Sequence, residues 1–202
     1  MFALLSSAFV TLFVVLDPPG LAPTFIALTG SMAPTAKRTI AVEATLITFA
    51  VLVGALFFGQ AVLAMLGISL AAFRIAGGLL LFAIAFEMVF ERRQERKNSA
   101  AVPRPSPAVF PLAIPLMAGP GALTAAVLLG GQAGNDWLLR GLFAGVIAAV
   151  LVLCLCVFLL SGPIERVMGE RAQNVLGRLL GVLLAALAVQ YVADGVAALK
   201  VL

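Results

Sequence analysis

Apolar residues fall into six long runs, covering approximately residues 2–29, 39–64, 71–90, 108–132, 138–161 and 172–198. A helix needs about 20 predominantly apolar residues to cross the hydrocarbon core of a bilayer. The pattern therefore predicts an all-α integral membrane protein with six transmembrane helices. The separators read as loops. Residues Gly30 to Arg38 combine turn formers with the basic pair Lys37-Arg38, and Gly67-Ile68-Ser69 is short and uncharged. The stretch from Glu91 to Pro107 carries Arg92, Arg93, Arg96, Lys97 and Arg104 and prolines at 103, 105 and 107. That composition stays solvated and irregular. It divides the chain into a three-helix repeat at 1–90, a basic, proline-rich linker at 91–109 and a second three-helix repeat at 110–202.

Two of the runs are interrupted. A continuous helix over 2–29 would be about 42 Å long, against a hydrocarbon core of about 30 Å. Within it, Asp17-Pro18-Pro19-Gly20-Leu21-Ala22-Pro23 cannot continue an ordinary α-helix. Phe110-Pro111-Leu112-Ala113-Ile114-Pro115-Leu116-Met117-Ala118-Gly119-Pro120-Gly121 breaks the fourth run at the corresponding place. Lipid offers no partner for backbone groups freed at a break, so both breaks must face protein or water. The expectation is that they are unwound near Pro19-Gly20 and Pro120-Gly121 and approach each other near the bundle centre.

Internal repetition supports the two halves. Pro19-Gly20 recurs as Pro120-Gly121, and Arg74-Ile75-Ala76-Gly77 as Arg178-Leu179-Leu180-Gly181. With three spans in each, the second half enters the membrane upside down relative to the first. Paired interrupted helices in inverted repeats are a transporter architecture, with the solute site near the midplane.

Charge adds an orientation. The loops after spans one, three and five hold Lys37, Arg38, Arg92, Arg93, Arg96, Lys97, Arg104, Arg166 and Arg171, whereas the opposite side has only Arg140 and Lys200. The positive-inside rule then puts the linker in the cytoplasm and both termini outside. The net charge of +4 is thereby a membrane signal rather than a nucleic-acid one. With 63% hydrophobic and 11% charged residues and a mean hydropathy of +1.16, no soluble domain is expected. Histidine is absent, which removes the commonest metal ligand and proton shuttle. Cys154 and Cys156 are spaced so that they do not share a helix face, and they read as small lipid- or core-facing side chains. No metal or cofactor is predicted.

Among groups able to do chemistry, Asp17 comes first, because a carboxylate near mid-span is costly unless protonated, paired or hydrated. It is equally placed to act as a plain N-cap, with Pro18 at the first helical position. The half-helices after Pro19-Gly20 and Pro120-Gly121 are candidates to aim free amides and a positive dipole end at a carboxylate. Thr24 and Thr124, about one turn further on, add hydroxyls, although threonine in a membrane helix more often bonds its own backbone. The solute-binding set is therefore Asp17, Pro19, Gly20, Thr24, Gly119, Pro120, Gly121 and Thr124. Arg74 and Arg178 start spans three and six from opposite faces, as gates, carboxylate ligands or snorkelling anchors. Gln190 and Tyr191 are candidates to line the cavity, and Glu43, Glu87 and Asp194 read as interfacial. The pairs Gly141/Gly145 and Gly177/Gly181 read as close helix-packing sites.

Asp17 to Phe25, Phe73-Arg74-Ile75-Ala76-Gly77-Gly78 and Ile114 to Ala122 together resemble the MarC family of bacterial inner-membrane proteins. The resemblance runs on to Val189-Gln190-Tyr191-Val192-Ala193-Asp194-Gly195. It implies an inner-membrane location and, through relatives classed as neutral amino-acid transporters, a small neutral amino acid or similar solute moved by alternating access. Membrane lipids and that solute are the expected partners, with proton or sodium coupling and a homo-oligomer both compatible. Catalysis is not expected: there is no His-Glu-x-x-His, no Gly-x-Ser-x-Gly and no aspartate pair at midplane depth. A structural or assembly protein without flux is the alternative.

Overall fold

The computed structural model describes residues 1–30, 32–90 and 108–199; residues 91–107 of the expected linker lie outside the described residues, and its last two, 108 and 109, begin a helix. The described chain forms α1 (Phe2–Leu16), α2 (Pro18–Thr29), α3 (Pro34–Met65), α4 (Leu70–Val89), α5 (Ala108–Met117), α6 (Pro120–Ala133), α7 (Trp137–Leu159) and α8 (Ser161–Leu199). No strand occurs among the described residues.

Among the described residues, five stretches are long and apolar enough to cross a membrane: 2–29, 34–65, 70–89, 137–159 and 175–199. The sixth expected span, 108–132, is split into α5 and α6, each too short to cross alone. Its first part is wound as a π-helix, and the Ala118 N–H donates to the Ala113 carbonyl five residues back at 2.8 Å. Pro111 and Pro115 have no N–H to give the ordinary ladder, which favours this wider winding.

Helix starts follow local chemistry. Pro34 takes the first position of α3 after an extended Ala33. Ser69 Oγ accepts from Ala72 N–H at the start of α4, and Asp136 accepts from Leu139 N–H at the start of α7. Gly67, at φ +69°, turns the chain between α3 and α4. α8 begins well before the expected 172, because Pro163 falls in its first turn, where the missing N–H costs nothing.

Burial separates the short elements from the long ones. α6 is buried at Gly121, Ala122, every position from Thr124 to Gly130, and Ala133. α2 is buried at Pro18, Leu21, Ala22, Thr24, Phe25 and Thr29, and its Phe25 ring stacks on Phe158 of α7 with centroids 4.7 Å apart. The long helices instead present large apolar side chains outward, among them Phe58, Val62, Leu79, Phe82, Val152 and Leu183. Such a surface suits lipid, and the half-helices form the interior.

α4 and α8 pack antiparallel along most of α4. A Cβ on Gly78 would meet the Ala188 carbonyl, one on Gly195 the Ala71 carbonyl, and one on Gly181 the Ala85 carbonyl. Small residues let backbones approach where lipid supplies no hydrophobic drive. The glycine expectation needs correcting here. Gly181 does sit at a close crossing, but Gly141, Gly145 and Gly177 face open space. Four-residue spacing identifies a smooth face, and α7 turns that face away from its neighbours.

Candidate functional site

The first break is a single residue. Asp17 adopts the left-handed conformation, φ 51° and ψ 61°, and is the only non-glycine residue with positive φ among those described. Pro18 disfavours the right-handed helical region for its predecessor, and a short polar side chain that bonds locally tolerates the left-handed one. Asp17 then serves both helices. Its N–H donates to the Phe13 carbonyl, closing α1, while its carbonyl accepts from Leu21 N–H and its Oδ1 from Gly20 N–H, both at 3.1 Å, opening α2. The break accordingly precedes the prolines instead of falling at Pro19-Gly20. Pro18 and Pro19 are already helical, as their fixed φ favours at a first turn.

This arrangement leaves the start of α2 with no spare donor. Pro18 and Pro19 have no N–H, and Gly20 and Leu21 give theirs to Asp17. The expected free amides of that half-helix are therefore not there. Asp17, 2% exposed, supplies the negative pole itself.

The second break has the opposite character. Gly119, extended at φ −77° and ψ 173°, precedes α6 without a side-chain cap, and Leu123 N–H returns to its carbonyl at 3.0 Å. Pro120 has no N–H. Gly121 and Ala122, both buried, keep amides with no partner among the described residues. Where the first half carries a carboxylate, the second presents donors and the positive end of a helix dipole.

The breaks lie close together. A Cβ on Gly121 would fall 2.5 Å from Leu81 Cδ2 and 3.2 Å from Val15 Cγ1, and Val15 is two residues before Asp17. Thr124, one turn into α6, packs against Gly77 of α4 and gives its hydroxyl to the Pro120 carbonyl at 2.8 Å. Thr24 behaves differently: its Oγ1 is shielded from solvent and has no hydrogen-bond partner.

The gating and cavity candidates gather along the α4–α8 seam. The register fixed by Gly78, Gly195 and Gly181 sets Arg74 opposite Asp194 at one end and Arg178 near Glu87 at the other. Tyr191, half-buried, hydrogen-bonds Thr11 of α1 and feels the charges of both Arg74 and Asp194. Gln190 is exposed and donates to Asp194 Oδ1 at 2.6 Å. Glu43 lies on an exposed face of α3.

Two contacts go beyond the sequence reading. Cys154 is buried and lies within electrostatic reach of Asp17, whereas Cys156 is exposed. Arg140 does more than mark a membrane side. It donates to the Gly134 carbonyl at 3.0 Å and the Phe57 carbonyl at 3.3 Å, with its guanidinium 5.7 Å from the Phe57 ring and 5.6 Å from the Trp137 ring, tying α7 to α3. The neighbouring Trp137 was the available hint.

Residues 2–199 match the family described as MarC family integral membrane protein. A UPF0056 membrane protein of Archaeoglobus fulgidus is 38% identical, covering 95% of this chain and 91% of the relative. The UPF0056 inner membrane protein YhgN of Escherichia coli is 34% identical, covering 94% of each. The UPF0056 membrane protein YhcE of Escherichia coli is 33% identical, covering 93% of this chain and 89% of the relative. No solved structure matches the chain.

Proposed function

The chain belongs to the MarC family of integral membrane proteins, and from that premise we propose that it is a secondary transporter of a small neutral solute, an amino acid by its chemistry. The observation that carries the reading is the pairing of two neighbouring helix breaks of opposite polarity. One is a carboxylate without spare donors, the other a pair of uncapped amides, and Val15 beside the first touches Gly121 beside the second. A zwitterion has a group for each. Interrupted helices contributed by two repeats are the recurrent way to build such a site inside a membrane.

The six-span inverted repeat belongs to this proposal, and helix packing supports it. α3 packs on α6 as α7 packs on α2, and α4 packs on α6 as α8 packs on α2. α3 packs on α5 as α7 packs on α1, and the pairs α4 with α8 and α3 with α7 each join an element to its own counterpart. Exchanging the halves thus leaves the neighbour scheme nearly unchanged. In this reading both termini lie outside and the linker inside, in the inner membrane of a bacterial cell. The protein catalyses no covalent step.

The test is thermal unfolding of the purified protein against a series of small neutral amino acids. A transporter should show saturable stabilisation, about 2.7 kcal/mol at a hundredfold excess over Kd. The same solute should then move across proteoliposomes. A series in which no solute stabilises the protein would favour the assembly role instead.

A further inference from the structure

Tyr191 is the chain's only tyrosine, and three helices meet at it. It hydrogen-bonds Thr11 of α1 and feels the charges of Arg74 on α4 and Asp194 on its own helix. Close glycine contacts fix the register of these groups. A Cβ on Gly195 would lie 2.6 Å from Ile75 Cγ1 and 3.2 Å from Ile75 N, and one on Gly78 would lie 2.8 Å from Val192 Cγ2. Arg74, Tyr191 and Asp194 are thus the immediate chain neighbours of residues that touch across the α4–α8 seam.

The charges at this end of the seam are not spent on each other. An arginine within a transmembrane helix ordinarily pairs with a carboxylate or with backbone carbonyls. Arg74 is half-buried and has no hydrogen bond or ion pair among the described residues, although Asp194 stands opposite. Asp194 instead accepts from the Gln190 amide, one turn before it, at 2.6 Å. A neutral amide satisfies an oxygen without balancing its charge. The bond between Thr11 and Tyr191 uses one of their two hydroxyl protons, and neither has another hydrogen-bond partner among the described residues. One donor is left over.

An unpaired guanidinium, a spare hydroxyl proton and a carboxylate held only by an amide complement a zwitterion. The first two suit an oxyanion, and the third suits an ammonium group. A plain anion would meet Asp194 as a like charge and a plain cation would meet Arg74, so the cluster favours a molecule that carries both charges. It is also separate from the helix breaks. Tyr191 packs against a buried apolar cluster containing Val14, Leu81, Leu184 and Ala188, and Leu81 is the residue that meets Gly121. Thr11 precedes Asp17 by about 9 Å of helix.

We propose that Arg74, Tyr191 and Asp194 form a second site, at the end of the seam where α4 begins, which binds a zwitterion with its oxyanion on Arg74 and Tyr191 and its ammonium on Asp194. A free amino acid and an ethanolamine phospholipid head group share that chemistry. The site stands on the residues of the seam, while its use as a station on the way to the breaks rests on the transport reading.

The single tyrosine makes the test site-specific. Full-length protein isotope-labelled at tyrosine gives one ring resonance, from Tyr191, to be followed by NMR in detergent. The titrants are alanine, propionate, ethylamine, lyso-phosphatidylethanolamine and lyso-phosphatidylglycerol. If the site takes an amino acid, alanine should shift the resonance saturably where propionate and ethylamine do not. If it takes a head group, the ethanolamine lipid should do so where the glycerol lipid does not. In either case Arg74→Gln and Asp194→Asn should each weaken the response at least tenfold, and Arg38→Gln, the same change of charge on an exposed arginine of α3, should keep it. Asp194 is exposed, so Asp194→Asn carries the test where Arg74→Gln does not fold. The proposal is overturned if neither zwitterion shifts the resonance, if propionate or ethylamine shifts it as alanine does, or if Asp194→Asn responds like wild type. A silent Tyr191 in protein that alanine still stabilises would sink the second site and leave the transport reading standing. A response at Tyr191 with no solute moved in proteoliposomes would do the reverse.

Discussion

The two helix breaks, before Pro18 and before Pro120, solve the same backbone problem in opposite ways. At Asp17 the chain caps itself, with the carboxylate and carbonyl of one residue taking the two amides that the prolines leave. At Gly119 no side chain caps the helix, and two buried amides have no partner among the described residues. Two breaks of similar shape therefore need not share polarity. Prolines in the first turn set the geometry at both breaks, and the residue just before them sets the charge.

Gly20→Ala should have the largest effect, because it attacks the closed break at its tightest contact. The added methyl would land on the Asp17 carboxylate, and the cap would have to leave. Loss of an N-cap together with overpacking amounts to about 2–3 kcal/mol, enough to lower Tm by several degrees in a bundle of this size. Gly121→Ala should be milder, since its methyl meets the movable ends of Leu81 and Val15. Equal losses in both variants, measured by thermal unfolding in the same detergent, would mean that the two breaks are packed alike.

Gly119→Asp converts the open break into a copy of the closed one. Gly119 already has the extended conformation of an N-cap, and an aspartate there can accept from Ala122, as Asp17 accepts from Gly20. Stability should rise by only a few tenths of a kcal/mol, since glycine is itself a tolerable cap, whereas stabilisation by an anionic or zwitterionic solute should fall at least tenfold, because the new carboxylate fills the solute's place. A variant that gains stability and keeps solute binding would remove the uncapped amides from the site.

Much of this was legible in the sequence, and the failures have physical causes. Apolar runs located five of the six expected spans, since length and hydropathy decide whether a helix can cross a bilayer, while the run at 108–132 is split into α5 and α6. Proline and glycine located both breaks to within a few residues. The displacement from Pro19 to Asp17 arises because proline disrupts a helix interior but favours its first turn, and a linear pattern does not tell the two apart. The polarity of the breaks is half visible, since the sequence has Ala118-Gly119 where the first break has Asp17-Pro18, but it does not show that Asp17 uses up the donors of its own half-helix. The glycine spacing misled for Gly141, Gly145 and Gly177, because periodicity gives a face and only the fold gives that face a neighbour. Thr24 and Thr124 look interchangeable in sequence. Only the structure distinguishes the hydroxyl bonded to Pro120 from the one left over.

Asp17→Asn should produce the smallest change in stability, and it separates the two roles that meet at the first break. Asparagine is as good an N-cap as aspartate and is the other residue that enters the left-handed region readily. Both the bond from Gly20 and the φ of 51° can therefore survive the substitution. As a cap alone, the residue should tolerate the change at well below the ~1 kcal/mol typical of replacing a cap by alanine. As the negative pole of a transport site it should not, because the charge that holds a cation or carries a proton is gone. Flux in proteoliposomes under an imposed pH or sodium gradient, compared at matched insertion and Tm, should then fall at least tenfold and lose its dependence on the gradient. Unchanged flux with unchanged gradient dependence would assign Asp17 to capping and pass the coupling role to the acids of the α4–α8 seam, Glu87 and Asp194, or to Glu43 on α3.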